Sequence, residues 1–275
     1  MNSGESRQFI HNSSLSTVHS LAFTLAETLI VMGIIGVVAA LTIPNVNKNT
    51  CRAESVAKLK KIHAELNEAH SRATAVYGPF EKWFVNDDCT KNVDCAAAKI
   101  RYFNRITEFM KITKNCGTTE NGCMRTSAKY LYYNTSYGWN LSSPSALLAG
   151  GWSFNVNIIY SKNTGSSFNG YNTNNSSVGQ IYVDIDGPNK GKNTHGIDIF
   201  RFNVTTNGIY PGGGGSYWSD DNLKAYCFYY GYACAEWVIR NGNMDYLNTV
   251  KATSNSNSGV CKNGKQLSTT VSSCK

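Results

Sequence analysis

The spacing of hydrophobic and polar positions changes along this chain, and each change predicts an element. Residues 22–44, AFTLAETLIVMGIIGVVAALTIP, are apolar on every face. The 21 residues from Phe23 to Ile43 carry one charge, Glu27. A helix of that length rises roughly 30 Å, the thickness of a bilayer core. Such a helix is not the amphipathic kind that packs on a core by one stripe. From 50 to 76 the spacing turns amphipathic. Val56, Leu59, Ile62, Leu66, Ala69, Ala73 and Val76 recur every three or four residues, with Lys58, Lys61, Glu65, Glu68 and Arg72 facing away. Gly78-Pro79 stops this run. Pro44 removes a backbone donor and predicts a bend or a melted turn.

Ile100, Phe103, Ile106, Phe109 and Met110 keep helical spacing and predict a helix over 96–112. An aromatic-rich stretch follows, with Tyr130, Tyr132, Tyr133, Tyr137 and Trp139. Trp152, Phe154, Val156 and Ile158 then alternate with polar residues, as in a half-buried strand. Ile181, Val183 and Ile185 alternate again, as do Ile197, Ile199 and Phe202 to Val204. Asn207-Gly208 marks a turn before Ile209. The pattern predicts an α+β fold: three to five antiparallel strands lying on the long helix. Gly212 to Gly215 reads as a flexible loop. Trp237, Val238, Met244 and Leu247 predict a helix over 233–248, with Asn241-Gly242 as a point of interruption.

Composition adds the compartment. Nine cysteines are many for a reduced space and place the region after the apolar run in an oxidising one. Loop closure favours near pairs: Cys89 with Cys95, Cys116 with Cys123, Cys227 with Cys234, Cys261 with Cys274. Cys51 is left over. Zinc is the rival use, but no C-x2-C or His-x3-His spacing occurs. The tail from Lys251 is rich in Asn, Ser and Thr and needs the last pair to order it. The net charge of +8 is scattered among acids and demands no nucleic acid. Lys48, Arg52, Lys58, Lys60 and Lys61 follow the apolar run while Arg7 alone precedes it closely, which by charge bias points the large domain inward. The cysteines argue for the opposite orientation.

Glu27 is the anomaly. A carboxylate in a membrane helix costs at least about 2.5 kcal/mol and is usually functional and paired. Cleavage between Ala22 and Phe23 would create a cation beside it, the new amine of Phe23. An ordinary secretory signal cut after Val38-Ala39-Ala40, or a plain anchor, leaves Glu27 and FTLAE unexplained. The stretch resembles the signal segment of type IV prepilins and of type II secretion pseudopilins. A small residue (Ala22) precedes Phe23-Thr24-Leu25, the acid stands at the fifth mature position, and Pro44 stands at the twenty-second.

That resemblance implies cleavage by a prepilin peptidase, N-methylation of Phe23, and assembly with other pilin or pseudopilin subunits through Glu27. It implies a pilin-like fold: leader 1–22, membrane or filament-core helix 23–49, and an extracytoplasmic head 50–275. The head divides into an insert at about 80–150, a sheet at about 151–210 and a C-terminal part at 216–275. The expected location is the bacterial inner membrane, single-pass, with the head in the periplasm or outside the cell. The leader departs from the family in having Val18, His19, Ser20 and Leu21 where Lys or Arg is usual.

Asp184, Asp186, Asn189 and the later Asp198 form an oxygen-rich loop similar to the calcium loop of major pseudopilins, which makes calcium the candidate cofactor. Turn formation with acid caps explains the same residues. The G-x-S-x-G, H-E-x-x-H and phosphate-loop motifs do not occur. His63, His70 and His195 have no evident catalytic partner in the sequence. The residues point to a structural subunit rather than an enzyme, the alternative being an anchored or filament-borne module that binds a ligand through its Tyr- and Asn-rich surface.

Overall fold

The computed structural model describes residues 24–84, 96–118, 122–125, 127–138, 143–159, 178–205, 207–215 and 218–275. The described residues fall into two units, one ending at Lys48 and the other beginning at Asn49. Helix α1 (Leu25–Tyr77) is continuous through Pro44, so no melted turn occurs there. Proline removes one bond of the ladder and crowds the preceding turn, yet the helix runs on past it to Tyr77.

In the larger unit, Val56, Leu59, Ile62, Leu66, Ala69 and Ala73 are buried as the spacing predicts. Val76 is the exception, 64% exposed. The cover at that end comes instead from Phe80 and Trp83, which pack on His70 at 5.2 and 6.2 Å. Helix α2 (Ala96–Thr107) ends five residues before the predicted boundary at 112. Ile112, read as its last residue, begins a strand.

The main sheet is antiparallel, with six strands rather than three to five, in the order β1 (Ile112–Gly117), β4 (Ser145–Leu148), β5 (Ser153–Ile159), β6 (Val178–Asp184), β7 (Ile199–Thr205) and β8 (Gly208–Pro211). The short strands β2 (Ser127–Lys129) and β3 (Ser136–Gly138) pair separately. Ile197, predicted as strand, lies in a turn, its N–H bonded to the Thr194 carbonyl.

One face carries Phe154, Val156, Ile158, Ile181, Val183, Phe200, Phe202 and Val204, which share a core with the α1 stripe. Helix α2 joins it through Phe103, 5.7 Å from Phe154. The alternation predicts half-buried strands, with polar residues on the other face. Ser153, Asn155, Gln180, Asp184, Arg201, Asn203 and Thr205 occupy it, and all are buried.

Helix α3 (Asp220–Asn222) runs into a π-helical stretch, Leu223–Tyr229, which the sequence pattern did not predict. The helix predicted over 233–248 is two pieces: α4 (Ala235–Asn241) and a 3-10 turn, Asp245–Asn248. Gly242 breaks it at φ 65°, a conformation glycine adopts without a Cβ clash. Gly212, Gly213 and Gly214 are buried, so the glycine run is not a loose loop. A Cβ at Gly213 would stand 2.1 Å from the Ala233 carbonyl oxygen.

Candidate functional site

The smaller unit presents its apolar residues outward. Leu25, Leu29, Ile30, Met32, Ile34, Ile35, Val37 and Leu41 are all exposed. Leu25–Thr42 has a mean hydropathy of 2.2 and is long and apolar enough to cross a bilayer. A membrane anchor and a signal sequence both answer to that description. Ala22 and Phe23 lie outside the described residues. A Cβ at Gly33 or Gly36 would meet nothing within 4 Å, so the helix surface is open at both.

Glu27 has a local role that the sequence reading missed. Its Oε2 accepts from the Thr24 N–H at 2.9 Å and from the Thr24 hydroxyl at 2.9 Å. The Thr24 Oγ1 accepts in turn from the Glu27 N–H at 3.2 Å. This is a capping box: Thr and Glu three residues apart satisfy each other's free amides at the first turn. The T-x-x-E spacing was legible in the sequence. Oε1 of Glu27 takes no part in it.

The acidic loop follows β6. Asp184 Oδ1 accepts from the N–H of Asp186 at 3.2 Å and of Gly187 at 3.0 Å, which fixes the turn. Asp198 reaches back to clamp the other arm. Its carboxylate accepts from the N–H groups of Lys192, Asn193 and Thr194, the last two at 2.7 and 2.6 Å. Arg125 donates to the Pro188 carbonyl at 2.7 Å. Gly191 lets the chain pass between acids: a Cβ there would meet the Oδ2 of both Asp198 and Asp186. Burial, the side-chain hydrogen bond to Asp186 and the charges of Asp186 and Asp198 push the Asp184 carboxyl up to about 8. Burial raises Asp198 as well, against the pull of its backbone donors.

These residues fit a calcium shell incompletely. Calcium takes six to eight oxygens. The backbone already uses Asp184 and Asp198, and Asn189 is exposed with no hydrogen bond among the described residues. Among the described residues no three His, Cys, Asp or Glu side chains stand together at metal-holding distance. Asp186 Oδ1 is buried without a hydrogen-bond partner among the described residues.

Three of the predicted disulfides are present: Cys116–Cys123, Cys227–Cys234 and Cys261–Cys274. Cys89 and Cys95 lie outside the described residues. Cys51 is an exposed thiol. His63 stacks on Phe202 at 5.5 Å, and its Nε2 meets the Ile209 carbonyl at 2.9 Å. His70 is buried among Phe80, Trp83 and Tyr102, and burial lowers its pKa to about 4. Both serve packing.

A cavity on the polar face of the sheet had no signal in the sequence, because its walls come from distant segments. It holds 230 Å³ and is lined by Tyr130, Gln180, Tyr182, His195, Arg201 and Tyr232. Strand pairing sets Tyr182 opposite Arg201. The Arg201 guanidinium lies over the Tyr232 ring at 4.6 Å. Tyr130 stacks on His195 at 5.6 Å. Burial, and then the Arg201 charge, lower His195 to about 3, so its ring is neutral. No family model, curated protein or solved structure matches this chain.

Proposed function

We propose that this chain is a structural subunit of a type IV pilus or type II secretion pseudopilus. A prepilin peptidase removes residues 1–22, Phe23 is N-methylated, and the subunit waits in the inner membrane with its larger unit outside the cytoplasm. One observation carries the reading: a helix apolar on all sides, bearing an acid whose second oxygen has no hydrogen bond among the described residues. So large an exposed apolar surface calls for lipid or for other subunits around it. In the polymer, Glu27 Oε1 meets the Phe23 amine of a neighbour, and each charge relieves the other's burial. The capping box is compatible with this, because it occupies Oε2. The chain catalyses no reaction in this reading.

The acidic loop serves as a turn clamp, which its hydrogen bonds favour over a calcium shell. Millimolar calcium should therefore leave the melting temperature unchanged; a rise would give the loop to the cation. The alternative, an anchored binding module, draws on the cavity at Arg201.

Two measurements test the assembly reading. Mass spectrometry of the mature amino terminus should find N-methyl-Phe23; a terminus at Leu41 would assign a secreted protein instead. The second uses Glu27→Gln, which preserves the capping box but removes the charge. It should be cleaved normally yet fail to polymerise, as Glu27→Ala should. Filaments of ordinary yield from Glu27→Gln would leave Glu27 as a helix cap and no more.

A further inference from the structure

The polar face of the sheet buries a charge that no described residue compensates. Arg201 is 5% exposed. Among the described residues no carboxylate forms an ion pair with it, and its Nε is buried without a hydrogen-bond partner. Its guanidinium lies over the Tyr232 ring, and its charge acts on His195. A guanidinium carries five N–H donors in a fixed fork. Leaving it buried with neither acceptors nor a counter-charge is strongly unfavourable. The surrounding chain is nonetheless shaped to keep it there. Gly212 lies beside it on the strand edge, and a Cβ at that position would come 3.2 Å from Nε and 2.7 Å from the Arg201 carbonyl oxygen.

The rest of the lining offers donors and ring faces. Gln180 Oε1 accepts from the Tyr182 hydroxyl at 2.9 Å, so the group Gln180 has left to offer is its NH2. Among the described residues no acid lines the cavity. Other polar atoms on the same face are buried without hydrogen-bond partners among the described residues: one donor, Asn203 Nδ2, and two acceptors, Asn203 Oδ1 and Asn155 Oδ1.

We propose that this cavity is a binding site for a small monocarboxylate built on a single ring. The carboxylate pairs with the fork of Arg201 and accepts from Gln180, and its ring lies against Tyr130, Tyr182 and Tyr232. Planar two-pronged pairing is what a guanidinium offers a carboxylate. One cation matches one negative charge, whereas a doubly charged phosphate would leave an excess charge buried. The 230 Å³ volume is below the usual range for drug-sized ligands, about 300–1,000 Å³, and suits one ring. Sugar acids and aromatic acids share this chemistry. The site is independent of whether the chain polymerises.

The test uses the full chain in non-ionic detergent with galacturonate, N-acetylneuraminate and benzoate, and with galactose and benzyl alcohol as uncharged counterparts. An acid that binds should raise the melting temperature by about 5–10 °C at a hundredfold excess over its Kd, and should shift the Arg201 Nε–H NMR resonance. The uncharged counterparts should do neither, and preference among the acids separates sugar from aromatic ligands. Arg201→Met should melt no lower than the wild type without ligand, because it removes an uncompensated charge, and should lose the ligand response. Arg201→Lys should lose most of it, lacking the fork. The proposal is overturned if all three acids leave both readouts unmoved at about 10 mM. It is equally overturned if Arg201→Met melts well below the wild type, which would make Arg201 a structural residue.

Discussion

Asp184 shows how much a single residue's setting can matter. Its ordinary value of 3.8 rises to about 8 through burial and two neighbouring acids. Between those values the folded state holds one proton more than the unfolded chain, so stability should fall as pH rises from about 4 to 8 and then level off. Asp184→Asn keeps the oxygen that accepts from Asp186 and Gly187 and removes the titration. Urea denaturation should find the two proteins equal near pH 4 and the variant more stable at pH 8, by roughly 2–5 kcal/mol. His70 and His195 work the other way: each is held below 6.5 by burial, so their contribution is lost as pH falls through about 4 and about 3. Both proteins contain them, and they cancel in the comparison. The Asp-x-Asp-Gly turn was legible because its atoms are neighbours in sequence. The clamp by Asp198 reaches back over four to six residues of an irregular loop that no short motif marks, and the position of Arg201 depends on strands that meet only in the folded sheet.

Elements were readable where their period was long. The α1 stripe from Val56 to Ala73 needed no structure to find, and β5 announced itself by strict alternation. Strands β1 and β4 escaped because six and four residues of mixed polarity carry little signal. Strand β8 lies at the sheet edge, where unpaired backbone groups invite pairing with other chains. Asn67 of α1 closes that edge: its Oδ1 accepts from the Ile209 N–H and its Nδ2 donates to the Ile209 carbonyl, both at 2.9 Å. Asn67→Ala should lower stability by about 1–3 kcal/mol, read as a fall of about 3–8 °C in melting temperature. At Gly213, with φ 100°, the Ala233 carbonyl leaves no room for a side chain. Gly213→Ala should therefore cost at least about 2 kcal/mol, measured by the same melt.

For the molecule as a whole, the last 25 residues depend on distant partners. Cys274 is bonded to Cys261, and its N–H donates to Asp245 Oδ2 at 3.0 Å. The Thr269 N–H donates to Asp220 Oδ1 at 2.7 Å, and Leu267 is fully buried. Replacing both Cys261 and Cys274 with Ser should cost about 2–4 kcal/mol, and hydrogen exchange should show protection lost from 251–275 before the sheet. Read by itself, the sequence determined the apolar helix, the amphipathic run after it, three of the near-neighbour disulfides and the α+β class, since period, spacing and local loop closure are properties of adjacent residues. The tertiary structure alone decided that the second face of the sheet is buried, that Gly212 to Gly214 are packed, and that Arg201 meets the Tyr232 ring and, among the described residues, no acid. Those outcomes depend on which distant segments cover a surface, and no short-range pattern encodes that.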